Sequence, residues 1–182
     1  MKTAIVPGSF DPVSKGHIDL IKRAAKAFDT VYAACLINEN KQYTFTIEQR
    51  EEMLRASLKD VPNVIVESFT GWMYEYIRLK NADAVVKGIR SEKDFIYEKE
   101  HADFNKEHSG VDTLLLISDP DLQNVSSTLI REKLEKGEDI SHLVPAATPP
   151  PPMWMPSSCR TWVLCSFAAR SPPTFPSTAP PK

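Results

Sequence analysis

Ala4-Ile5-Val6-Pro7-Gly8-Ser9-Phe10-Asp11-Pro12-Val13-Ser14-Lys15-Gly16-His17 begins as a short apolar run, breaks at Pro7-Gly8 and continues as a mostly polar segment. The run reads as a strand and the Pro-Gly pair as its breaker. Beyond it, Ile18, Ile21, Ala25 and Phe28 recur at helical spacing, so a helix follows directly. Gly8 suits a tight turn and the close approach of a ligand. Gly16 and His17 stand at the helix start, where free N–H groups and the helix dipole attract phosphate. His17 adds a side-chain donor there. The plainer alternative is a strand-to-helix turn in which Ser14 merely caps the helix. A Walker A loop is excluded, because no Gly-Lys-Ser/Thr stands at the required spacing.

Strand and helix patterns alternate onward from this segment. Thr30 to Ile37 is an apolar run suited to a strand covered on both faces. Thr46-Ile47-Glu48-Gln49 reads as a capping box opening a helix to about Leu58. Val64-Ile65-Val66, Ala84-Val85-Val86 and Thr113 to Ile117 predict three further strands. Trp72 to Lys80, a segment capped by Ser91 that runs through Phe95, Ala102 and His108, and Ser127 to Lys136 predict helices. The expected fold is α/β: a Rossmann-like, doubly wound, parallel five-stranded sheet with helices on both faces. Such sheets bind ligands beyond the carboxyl ends of their strands. Near Thr148 the composition changes: Pro149 to Pro152 and later prolines appear, and Asp and Glu vanish. The expectation is one domain over residues 1–147, followed by a Pro-rich tail, 148–182, that is irregular, mobile or non-native and unnecessary for chemistry.

The formal net charge is −2 over 182 residues. Near-neutral charge provides no general attraction to nucleic acid or to an anionic membrane, so any anion must be held by a local site. No run of about 18 apolar residues suggests a membrane span. Cys35, Cys159 and Cys165 are odd in number and form no C-x-x-C pair, which fits a reducing compartment. A cytoplasmic protein is expected.

Ser14-x-Gly16-His17 resembles the T/H-x-G-H motif of the nucleotidyltransferase superfamily, and Val125-Ser126-Ser127-Thr128-Leu129-Ile130-Arg131 resembles its second signature, I-S-S-T-x-L/I-R. Lys87-Gly88-Ile89-Arg90, with Asp94-Phe95-Ile96-Tyr97-Glu98, is similar to the R-G-L/I-R-x-x-x-D-F-x-Y-E stretch of the phosphopantetheine adenylyltransferase family. So are Pro7 to Pro12, and Lys41 followed by Phe45 to Arg50. The likeness covers about Lys2 to Pro145. It implies transfer of AMP from ATP to 4′-phosphopantetheine, with release of dephospho-coenzyme A and pyrophosphate.

The resemblance assigns ATP contacts to Ser9, Phe10, His17, Gly88, Ile89, Arg90, Glu98 and the run Leu122, Gln123, Asn124, Val125, Ser126, Ser127 and Thr128. It assigns acceptor contacts to Ser9, Lys41, Met73 and Lys87, and catalytic work to His17, Lys41 and Arg90. Lys87 stands where the family usually has Arg, which keeps charge but loses the bidentate fork. Mg²⁺ is expected to neutralise the triphosphate, without a dedicated carboxylate cage or a named protein ligand. The resemblance further implies a homo-oligomer, a hexamer in the family, with coenzyme A as a feedback ligand. The same two helix starts would suit nicotinamide mononucleotide adenylyltransferase or a non-catalytic nucleotide-binding protein.

Other side chains invite plainer readings. Glu98-x-x-His101 shares a helix face, but solvated surface is the expectation for His101 and His108. Trp72, Tyr74 and Tyr76 are read as core aromatics, Lys22, Arg23 and Lys26 as an exposed basic face, and Cys35 as packing. Family members continue after His142-Leu143-Val144-Pro145 into a C-terminal helix, which no segment crossing Pro149 to Pro152 can form.

Overall fold

A computed structural model of the chain describes residues 1–146. The segment 148–182 and the boundary expected near Ala147 lie outside the described residues. Strands and helices alternate as β1 (Thr3–Gly8), α1 (Lys15–Ala27), β2 (Thr30–Ile37), α2 (Ile47–Leu58), β3 (Val64–Thr70), α3 (Met73–Lys80), β4 (Ala84–Ile89), α4 (Glu92–Ser109), β5 (Asp112–Ile117) and α5 (Ser127–Glu135). A short 3-10 turn, Pro120–Leu122, precedes α5. The strands form one parallel sheet in the order β3-β2-β1-β4-β5. Ile5 is flanked by Tyr32 of β2 and Val85 of β4, so the winding direction reverses beside β1. This doubly wound sheet is the expected architecture.

The side-chain alternation of β1 explains its unbroken apolar run. Ala4 and Val6 join the core formed with Ile21 of α1, Leu54 of α2 and Ile130 of α5. Ile5 faces the other layer, with Tyr76 and Ile77 of α3. All of these are buried. Cutting one such side chain to Ala typically costs about 2–5 kcal/mol, because the cavity closes only in part.

Caps set the helix boundaries. Thr46 Oγ1 accepts from the Gln49 N–H while Gln49 Oε1 accepts from the Thr46 N–H, the predicted capping box. Ser91 caps α4, and Gly110, at φ 77°, ends it in the left-handed conformation that glycine tolerates. After α5, Ile140, Leu143 and Val144 return to the core. The Leu143 carbonyl accepts from the Lys15 N–H, so the close of the described domain secures the first turn of α1.

Two aromatic expectations divide. Tyr76 is 1% exposed, as a core residue should be, but Trp72 is 61% exposed. Trp72 stands just before α3 and packs against Tyr74 and Phe104 on the surface, because its position precedes the helix face that is buried.

Candidate active site

Where the winding reverses, the carboxyl ends of β1 and β4 leave a crevice of about 280 Å³. Its floor includes Pro7, Gly8 and Gly88. Its walls come from α1, from Lys87, Arg90 and Glu98, from Leu116 and Ser118, and from the start of α5. Gly8 is required by close packing: a Cβ there would lie 2.9 Å from Phe10 Cζ. Phe10 adopts φ 48°, and its ring meets the His17 ring edge-on, with centroids 5.0 Å apart.

Ser14 and His17 set the start of α1. The Ser14 N–H donates to His17 Nδ1 at 3.1 Å, and the His17 N–H donates to Ser14 Oγ at 3.3 Å. An Nδ1 that accepts a hydrogen bond leaves the proton of neutral imidazole on Nε2. Burial, with the Arg90 and Lys87 charges, lowers the His17 pKa from 6.5 to about 4. At neutral pH the crevice therefore contains an uncharged N–H donor.

The loop from β1 to α1 is held by its carbonyls. Arg50 Nη1 donates to the Ser9 carbonyl at 2.9 Å, Ser127 Oγ donates to the Pro12 carbonyl at 2.8 Å, and Arg131 Nη1 donates to the Asp11 carbonyl. Buried Asp11 accepts from the Thr44 and Phe45 N–H groups at 2.9 and 2.8 Å. The carbonyl-binding donors come from α2 and α5, so both helices help shape the loop. Ser126 caps α5 by accepting from the Leu129 N–H, and the free N–H groups of that first turn form a second anion-suited helix start at the crevice.

The cations have internal partners. Lys87 Nζ lies 3.1 Å from Glu98 Oε2, with both side chains half-buried. Arg90 Nε lies 2.9 Å from Asp94 Oδ2, and Nη2 reaches Oδ1 at 3.4 Å. Among the described residues, no group of three or more His, Cys, Asp and Glu side chains is placed to hold a metal ion. The crevice instead gathers cations, N–H donors and hydroxyls, a donor set suited to phosphate.

A family model described as cytidylyltransferase-like matches residues 5–133. Phosphopantetheine adenylyltransferase of Shouchella clausii is 46% identical over 146 residues, covering 80% of this chain and 92% of that one. The chain belongs to the cytidylyltransferase-like family, among the phosphopantetheine adenylyltransferases. The enzymes of that name from Frankia alni and Thermobifida fusca are 40% and 43% identical over 80% of this chain, covering 92% and 88% of theirs. A bifunctional NMN adenylyltransferase/ADP ribose pyrophosphatase from Francisella tularensis superposes with a TM-score of 0.61 at 20% identity, over 79% of this chain and 44% of that one. Its complex with AMP and Mn ion matches with the same TM-score at 18% identity. At these identities the likeness shows the fold. This chain spans less than half of that bifunctional protein.

The adenylyltransferase resemblance named more residues than the crevice gathers. Phe10, His17, Lys87, Gly88, Arg90, Glu98, Leu122, Val125, Ser126, Ser127 and Thr128 line it. Ser9, Ile89, Gln123 and Asn124 are neighbours in sequence but not among its lining residues. Lys41 is exposed on the loop after β2, and Met73 packs at the start of α3 against the second core layer. Asp19, Leu20, Arg23 and Ser118 line the crevice unforeseen. Arg23 corrects the reading of an exposed basic face: its Nη1 bonds the Ile117 carbonyl at 2.9 Å and Asp19 at 3.3 Å, whereas Lys22 and Lys26 are less enclosed. The spacing of Leu20 and Arg23 from His17, three residues at each step, was the available signal.

Proposed function

We propose that this chain transfers AMP from ATP to 4′-phosphopantetheine, giving dephospho-coenzyme A and pyrophosphate. One observation supports the reading above others: two helix N-termini, a neutral His17, Lys87 and Arg90 converge on one crevice in a member of this family. A phosphate oxygen of the acceptor attacks the α-phosphorus of ATP in line. The bond from that phosphorus to the bridging α–β oxygen breaks, and pyrophosphate leaves with the electron pair. No covalent enzyme intermediate is needed, so the protein's work is positioning and charge stabilisation. His17 Nε2–H donates to the α-phosphate oxygens, whose charge grows in the transition state. Arg90 and the start of α5 hold the polyphosphate. Ser9, Lys41, Met73 and Lys87 serve the acceptor.

The divalent ion belongs to the substrate, as Mg²⁺-ATP, and is held by the triphosphate. No described helix is long and apolar enough to cross a membrane. A cytoplasmic homo-oligomer with coenzyme A as feedback ligand accompanies this proposal. Nicotinamide mononucleotide as acceptor has only fold-level support, at 20% identity or below. Pyrophosphate release with Mg²⁺-ATP and each acceptor is the test. Turnover with 4′-phosphopantetheine is expected. Turnover with nicotinamide mononucleotide alone would overturn the acceptor, and nucleotide binding without release would overturn the chemistry.

A further inference from the structure

Arg50 on α2 is 2% exposed, and no ion pair to it occurs among the described residues. Its Nη1 donates to the Ser9 carbonyl at 2.9 Å, its Cζ lies 4.0 Å from the centroid of the Tyr43 ring, and its buried Nε has no hydrogen-bond partner among the described residues. A buried guanidinium with so little compensation is a poor device for stability. Apolar replacements of buried charges are often neutral or stabilising. Its contacts point to another task. Ser9 belongs to the loop after β1, and Tyr43 to the loop after β2. Lys41 Nζ lies 5.6 Å from the same Tyr43 centroid, so one ring is shared by two cations. The ring is itself held, since the Asn38 N–H donates to Tyr43 Oη at 2.8 Å.

We propose that Arg50 is a positioning residue for the acceptor end of the site, linking Ser9 to Lys41 through the Tyr43 ring. This rests on the acceptor roles given to Ser9 and Lys41 in the proposed function. Arg50 touches no reacting atom in this scheme. It sets the separation of two loops that would otherwise move independently, and so reduces the ordering required when the acceptor binds. The polyphosphate end is built from the start of α1, Arg90 and the start of α5, and does not use this link. With Ser9 and Lys41 serving the acceptor, Arg50 acts on the acceptor and leaves ATP nearly untouched.

The test is steady-state kinetics of the full chain with each substrate varied, alongside thermal melting. Tyr43→Leu removes the shared ring and leaves Arg50 in place. It is expected to raise KM for 4′-phosphopantetheine roughly tenfold, with KM for ATP changed by less than about twofold. Arg50→Met is expected to do the same, and Arg50→Lys to recover part of the loss. The Tyr43→Leu/Arg50→Met pair should cost little more than either single change. If Arg50→Met does not fold, Tyr43→Leu decides alone. Equal changes in both KM values, or no change in either, overturn the inference while the parent reading stands. Wild-type protein that makes no dephospho-coenzyme A overturns the parent reading and this inference together.

Discussion

Ser14 and His17 clasp each other across the first turn of α1, with Ser14 N–H to Nδ1 at 3.1 Å and His17 N–H to Oγ at 3.3 Å. His17 fills the place that Glu or Gln takes in an ordinary capping box. One arrangement thus starts a helix, selects a tautomer and leaves Nε2–H as the donor to the crevice. His17→Ala is expected to lower kcat roughly 10²-fold or more, as loss of a preorganised transition-state donor does, while the fold persists. Near-normal turnover in a folded variant would remove His17 from the mechanism.

The same imidazole makes stability depend on pH. Its folded pKa of about 4 lies below the ordinary 6.5, so the unfolded chain binds the proton first. The contribution is complete above about pH 6.5 and is lost as pH falls toward 4, by at most roughly 1.4 kcal/mol per pH unit. His17→Gln keeps the capping geometry without the titration. Denaturant midpoints should therefore fall further in wild type than in the variant between pH 7 and pH 5. Equal falls would show that His17 does not titrate this way.

Lys87 Nζ sits 3.1 Å from Glu98, so in the proposed acceptor role its phosphate ligand must share or replace that partner. Lys87→Arg is expected to keep turnover and to retain or tighten acceptor binding, because the planar fork can serve a carboxylate and a phosphate together. A large rise in acceptor KM would show that the pocket depends on the compact ammonium.

Gly8→Ala would place a methyl 2.9 Å from the Phe10 ring, which is 1% exposed and packed edge-on against His17. The expected cost is about 1–3 kcal/mol, with loss of activity as the Phe10–His17 edge contact shifts. Unchanged melting and turnover would mean that the loop relaxes freely.

A chain ending at Ala147 is expected to keep turnover within about threefold of full length, since among the described residues every side chain lining the cleft comes from residues 6–128. Abolished activity in a folded, truncated protein would give residues 148–182 a part in the chemistry.

Element order, the Ser14 cap, the Thr46 capping box and both helix starts at the crevice are determined by the sequence itself. Periodicity and capping act within four residues, so local pattern alone settles them. The alternation of strand and helix then leaves few ways to wind a parallel sheet, and places the site at strand ends. Tertiary packing decided the rest. Gly8 reads in the sequence as a place for ligand approach, yet Phe10 is what fills the space beside it. Arg23 has the pattern of a surface residue until β5 brings the Ile117 carbonyl to it across 94 residues. Arg50 reaches Ser9 across 41 residues, and Arg131 reaches Asp11 across 120. Such partners share no period or motif with the residues they hold. They meet because the sheet brings distant loops to one edge, where a buried polar group must find whatever acceptor the fold supplies.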